Sequence, residues 1–261
     1  MRRMSQDAHV PARLHRLGVF TAITVFVVIL GIALGTGAAG AAPRIVVLGA
    51  AAPATPSCPA TCQAVGKTTG FQTAITGSAN PFVVPFRGSI VAWSIKTGAP
   101  STKPNPNNDN QSDLEFFNKT FGGSPKARIV VLKPIRKQIK AGKPIYKLKK
   151  QSPVEELSAF LGQTITFTLD VPLRVKPGQI VALSVPTWAP AFAINQSSNT
   201  KWQASRKKGK CDNASEIQAG TPHEAVGSDR AYACQYTTAR LLYSATVVGE
   251  PNPAPPKKKR S

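Results

Sequence analysis

TITFTLDVPLRVKPGQIVALSVP, Thr164 to Pro186, holds two runs rich in β-branched and apolar residues, joined at VKPGQ. Adjacent proline and glycine at Pro177-Gly178 signal a turn, so the stretch reads as strand, turn, strand, with Asp170 at the end of the TITFTL run. The same pattern recurs along the chain. GSIVAWSIKTG sets Ile90, Ala92 and Ser94 on one side against Val91, Trp93 and Ile95 on the other. ARIVVL (127–132), IYKL (145–148), AYACQY (231–236) and ARLLYSATVV (239–248) are further short strands. FVVPF (82–86) is another, with Pro85 marking an edge or a bulge. The one helical candidate is SPVEELSAFLG, where Val154, Leu157 and Leu161 fall at i, i+3 and i+7. Roughly seven or eight short strands imply an all-β fold: a single β-sandwich, jelly-roll in type, with long loops and at most one short helix. Two polar insertions, Ala99–Lys126 and Thr187–Arg230, decorate it.

The two ends set the boundaries. Arg2, Arg3, Arg13 and Arg16 precede an uncharged run, VFTAITVFVVILGIAL, and small residues follow at Ala39-Gly40-Ala41. That is the layout of an export signal, cleaved or kept as an N-terminal anchor, over residues 1–42. Residues 43–57 read as an Ala/Pro-rich linker, 58–250 as the domain, and 251–261 as an extended Pro/Lys-rich tail. The expected location is secreted or cell-surface. Four cysteines fit this, since an even number in an exported chain favours disulfides. Three connectivities exist, and closeness in sequence favours Cys58 with Cys62 and Cys211 with Cys234. A four-thiolate zinc site fits poorly, because C-x3-C is not the usual knuckle spacing.

Charge is the dominant compositional feature. Residues 43–261 carry 29 Lys and Arg against 11 Asp and Glu, a net charge of +18. It concentrates in RIVVLKPIRKQIKAGKPIYKLKK (128–150), in Arg206–Lys210 and in the terminal KKKR. Alternation in IYKLKK turns Tyr146 and Leu148 inward and Lys147 and Lys149 outward, while the basic residues of the KPIRKQIKAGK connection must project. Lysine on a sheet edge also guards against strand-to-strand aggregation, which accounts for Lys147 and Lys149 but not for the loop.

The order GSIVAWSI, ARIVVLKP, YKLKKQSPVEEL, TFTLDVPLRVKPGQIVALSVPTWAPAF and TTARLLYSATVV resembles a family of exported actinobacterial β-sandwich proteins without an assigned activity. The mark of that family is a turn and strand that stands here as Leu173 to Leu183, with Gln179 at a position often acidic. The resemblance implies the fold and export, and no chemistry.

Enzymatic signatures are thin. His223 is the one histidine after residue 42; a hydrolase would need it with Asp229 or Glu224 and a serine, and no GxSxG elbow is present. A solvent-exposed loop histidine is the plainer reading. Asp109, Asp113 and Glu115 sit in an Asn-rich loop without the order of a calcium-binding loop. No cofactor and no metal are expected. The expected role is a non-catalytic binding or structural module at the cell envelope, held electrostatically by an anionic wall polymer or glycan. Its ligand residues would be Arg136, Lys137, Lys140, Lys143, Lys147, Lys149 and Lys150 of the hairpin, with Arg206, Lys207, Lys208 and Lys210. Trp188 and Trp202 would add stacking contacts, or else pack the long loop onto the sandwich. The N-terminal segment allows membrane association, and no specific nucleic acid is expected. The alternative is a structural or protein-partner surface domain whose charge only aids solubility.

Overall fold

A computed structural model describes residues 43–250 apart from 77, 107 and 108. Residues 1–42, expected to be an export signal or anchor, and residues 251–261, expected to be a basic tail, lie outside the described residues. The first sheet has the order β1 (Ile45–Leu48), β15 (Tyr243–Gly249), β4 (Gly88–Lys96), β8 (Thr164–Val175). Every pair in it is antiparallel. In β15 buried residues alternate with half-buried ones, as befits a sheet with one face on the core. In β4 a register shift between Ile90 and Ala92 breaks the expected two-sided grouping, so that Ile90, Trp93 and Ile95 are all buried and Val91 and Ala92 half-buried.

The second sheet runs β12 (Asp229–Ala231), β6 (Ile145–Gln151), β5 (Lys126–Pro134), β9 (Ile180–Ala189), β2 (Val65–Ile75), β11 (Lys201–Ala204), β13 (Cys234–Thr237). Two short strands flank this path, β3 (Ser78–Ala79) on β2 and β7 (Glu155–Glu156) on β5. A small separate pair is β10 (Phe192–Ala193) with β14 (Arg240–Leu241). The continuous apolar runs of β5 and β9 occupy the middle, where both faces are covered: Ile129, Val130, Val131, Leu132 and Val181 are fully buried. This sheet is curled. Phe71 of β2 and Tyr146 of β6 have ring centroids 5.3 Å apart, although β9 and β5 lie between their strands. In a flat sheet three strand spacings would separate them by about 14 Å. Tyr232 completes the aromatic cluster, 5.7 Å from Phe71 and 5.1 Å from Tyr146.

The all-β expectation and both disulfides hold. Cys58–Cys62 and Cys211–Cys234 are bonded, which leaves no thiolate set for zinc. Several expectations need correction. AYACQY is split between β12 and β13, and ARLLYSATVV between β14 and β15. Residues 43–57 are not a bare linker: the β-branched run Ile45–Leu48 completes the edge of β15, and Arg240 Nη1 donates to Ala52 O at 2.7 Å. FVVPF forms no strand, only an isolated bridge from Val83 to Ile180. The SPVEELSAFLG segment becomes β7 and a single 3₁₀ turn at Ser158–Phe160. Helix instead forms at α1 (Asp113–Phe121), inside the first polar insertion, with one-turn helices α2 (Arg136–Lys140) and α3 (Ala214–Gln218) elsewhere.

The signal for α1 is a capping box. Ser112 Oγ accepts from the Glu115 amide, and Glu115 Oε2 accepts from the Ser112 amide, satisfying two donors that a helix start otherwise leaves open. The Ser112 amide, and after it the Ser112 hydroxyl, which donates to Glu115 Oε2 at 2.8 Å, hold the Glu115 carboxyl below the usual carboxylate range. Glu115 is therefore a cap rather than a calcium ligand, and among the described residues no group of acidic, His and Cys side chains is arranged to hold a metal. Gly122 ends the helix in the left-handed conformation.

Candidate anion-binding cleft

The end of the β5–β6 hairpin, the β8–β9 turn and the start of β4 enclose a cleft of about 500 Å³. Each wall supplies cations. Lys133 and Arg136 come from the end of β5 and the start of α2, Lys149 and Lys150 from β6, Arg174 from the end of β8, Lys176 from the turn after it, and Arg87 from the residue before β4. One carboxylate, Glu250, lies among them, 3.9 Å from Arg87 in an exposed pair that contributes little. Among the described residues the other six cations have no carboxylate within the 4.0 Å limit of an ion pair.

Two local irregularities build this wall. On β6, Leu148 pairs with Leu132 and Lys150 pairs with Val131, so Lys149 is an extra residue. Such a bulge breaks the two-residue alternation and re-aims side chains. Consecutive lysines thereby both line the cleft. Opposite them, Pro177 and Gly178 form a tight turn with Gly178 at φ +79°, the left-handed conformation that glycine adopts freely. Gln179 Oε1 accepts from the Lys176 amide at 2.7 Å and holds the turn closed. The residue at 179 is thus a neutral amide, which adds no negative charge to the wall.

The remaining basic residues distribute differently. Lys137, Lys140 and Lys143 are exposed on and after α2, outside the cleft. Lys147 is engaged: its Nζ lies 3.1 Å from Asp229 Oδ1 and donates to Gly227 O, fastening β12 to β6. Arg206, Lys207 and Lys210 line a second hollow of about 680 Å³, joined there by Lys67 and Arg230, while Lys208 is exposed beside it. The two hollows share no lining residue. Strand β6 links them, since Lys147 pairs with Asp229 of the second and Lys149 lines the first, about 7 Å further along.

Trp188 and Trp202, expected as stacking contacts, are instead buried, in β9 and β11. Trp188 is fully buried against Phe117, and its Nε1 donates to Asn118 Oδ1 and to Gly123 O. It anchors α1 to β9. Trp202 is buried in β11, stacked on Tyr236 at 4.6 Å. A long insertion needs apolar anchors, and these rings provide them.

His223 is also not where a solvent loop would leave it. It is 1% exposed, inside the curl of the second sheet. Nε2 lies 3.2 Å from the Ser228 carbonyl oxygen and 2.9 Å from Ser228 Oγ, and Nδ1 lies 3.2 Å from Tyr232 Oη. A carbonyl only accepts, so Nε2 carries the proton and Nδ1 accepts from Tyr232. Ser228 Oγ donates to Ala225 O. An Nε2 that already holds its proton cannot take one from Ser228, so this is a structural pin rather than a nucleophile–base pair. Burial, followed by the nearby Arg230 charge, pushes the imidazole pKa down and favours its neutral form.

Arg87, Lys67, Arg174, Lys176 and Arg230 are cations that the sequence pattern did not single out. Each stands alone among uncharged neighbours in the chain or beside a carboxylate, so no run marks it. Comparison of the chain with known protein families, characterised proteins and solved structures returns no match.

Proposed function

We propose that this domain is a non-catalytic polyanion-binding module of the cell envelope, and that the cleft beside Lys149 and Lys150 is where an anionic polymer or glycan seats. The observation that carries this reading is the convergence, on one concave surface, of six cations that have no carboxylate partner among the described residues. Concentrating like charge costs stability through mutual repulsion, and an anionic ligand relieves that cost. The cleft is open along its rim, with Lys133, Arg136, Lys149, Arg174 and Lys176 exposed, as suits a chain that passes through. The two disulfides fit an oxidising compartment and support the export reading of residues 1–42.

Retention of the protein on immobilised polyphosphate and polyglucuronate across a salt series, with an uncharged glucan as control, tests the proposal. Retention on the anionic resins falls steeply with salt and is weak on the glucan. Equal retention in low and high salt, or on all three resins, would overturn it. A solubility role for the charge predicts that reversing the cleft lysines leaves retention unchanged.

A further inference from the structure

The second hollow is a different kind of site. Its cations come from three separate parts of the chain: Lys67 from β2, Arg206, Lys207 and Lys210 from the loop after β11, and Arg230 from β12. Against these five stand Glu216, paired with Lys210, and Asp229, paired with Lys147 outside the hollow. The lining thus carries a net charge of +3.

The position of Arg206 is fixed by its neighbours. Nη1 donates to Tyr236 Oη at 2.9 Å, and Nη2 donates to Gly66 O at 3.1 Å. Tyr236 Oη in turn donates to Cys211 O, and Cys211 is tied to Cys234. The loop bearing Arg206, Lys207 and Lys210 is therefore stapled at its end. Arg206 Nε is buried and has no acceptor among the described residues. The β2 side of the hollow is held as firmly. Lys67 adopts φ +47°, a left-handed conformation rare for a lysine, at the register shift that leaves Pro186 and Thr187 of β9 facing it. Gly220 packs so closely that a Cβ there would lie 2.9 Å from the Lys67 carbonyl oxygen. The ammonium of Lys67 lies beside Gly122 at the end of α1, so Lys67 adds charge at the rim and the loop cations supply the donors.

We infer that this hollow is a discrete binding site for a compact dianionic oxyanion, a phosphate or sulfate group, held by Arg206, Lys207 and Arg230. A net charge of +3 suits a dianion better than a single carboxylate. A guanidinium fixed in advance favours a tetrahedral oxyanion with several acceptor oxygens. The inference does not depend on the polymer reading of the first cleft.

Titration of the oxidised full chain with inorganic phosphate, sulfate and acetate, followed by calorimetry, tests it. Phosphate and sulfate saturate at one site per chain, and acetate binds at least tenfold more weakly. Lys207 is exposed, so Lys207→Glu keeps the fold and weakens phosphate binding about tenfold or more. Glu216→Gln raises the charge of the hollow and tightens binding severalfold, a gain that misfolding cannot produce. Lys149→Glu with Lys150→Glu leaves phosphate binding unchanged while it weakens polymer retention, which separates the two sites. Absence of saturable binding, acetate binding as tight as phosphate, or loss of binding in the Lys149/Lys150 variant but not in Lys207→Glu would overturn the assignment.

Discussion

Lys149 and Lys150 are neighbours in one strand, yet both line the same cleft. Regular β-structure forbids this, because successive side chains point to opposite faces. The bulge at Lys149 removes that restriction: Lys150 pairs with Val131 while Leu148 pairs with Leu132. A pair of adjacent cations on one wall is thus a product of register, and several expectations follow from it and from the packing around it.

Reversing this pair is the direct test of the cleft. Lys149→Glu with Lys150→Glu lowers polyphosphate retention by at least tenfold at low salt and flattens its salt dependence, since fewer counterions are released. Circular dichroism and melting temperature stay close to the parent, because Lys149 is exposed and Lys150 only half-buried. Unchanged elution in the salt series would refute the cleft as the binding surface.

The tryptophans act on stability rather than on binding. Trp188→Ala and Trp202→Ala each lower unfolding free energy by about 3–5 kcal/mol, the usual cost of emptying a buried aromatic site. Urea unfolding gives the loss, and retention of the folded fraction is unaltered. Loss of retention at full stability would return these rings to the ligand.

The buried histidine gives a signed pH dependence. In the unfolded chain an imidazole titrates near about 6.5. In the folded protein its pKa lies below that. Above the unfolded value both states are neutral and the contribution of His223 is complete. As pH falls through about 6.5 the unfolded chain takes up a proton that the folded protein resists, so stability drops by at most about 1.4 kcal/mol per pH unit until the folded pKa is reached. His223→Gln removes this window while leaving the carboxylate-driven loss near pH 4. Melting curves between pH 7 and pH 5 check it, and parallel profiles for parent and variant would exclude the effect.

Disulfide removal should act unequally. Cys211 and Cys234 lie 23 residues apart, and opening that loop by Cys211→Ser with Cys234→Ser costs about 3 kcal/mol in the chain-entropy account. Cys58 and Cys62 lie only 4 apart, so their removal costs about 2 kcal/mol. Denaturant midpoints of the two double variants give the order.

Ser112→Ala removes the acceptor for the Glu115 amide and lowers stability by about 1 kcal/mol. Because α1 carries Phe117 and Phe121 onto Trp188, the loss appears as quenching or a shift of the Trp188 emission as well as in the midpoint. An unchanged midpoint and spectrum would show that packing alone holds the helix.

What is local or periodic could be read directly from neighbouring residues. Alternation in GSIVAWSI and continuous apolar runs in RIVVL and IVALSV marked strands, because side-chain period and burial are properties of a few consecutive residues. Closeness along the chain indicated both disulfides. The basic hairpin announced an electropositive surface, and four of its basic residues, Lys133, Arg136, Lys149 and Lys150, do line the cleft. The capping box at Ser112 and Glu115 was also legible, hidden only by the polar composition around it. The tertiary structure alone decided which charges share a cavity. Arg87 and Arg174 join Lys149 because antiparallel register sets Arg174 opposite Ser89, within two residues of Arg87. Curling of the second sheet took His223 out of solvent, and packing of the long insertions took Trp188 and Trp202 away from any ligand. These outcomes depend on strand partners far apart in the chain and on where a bulge interrupts the ladder, and neither quantity is written in a window of neighbouring residues.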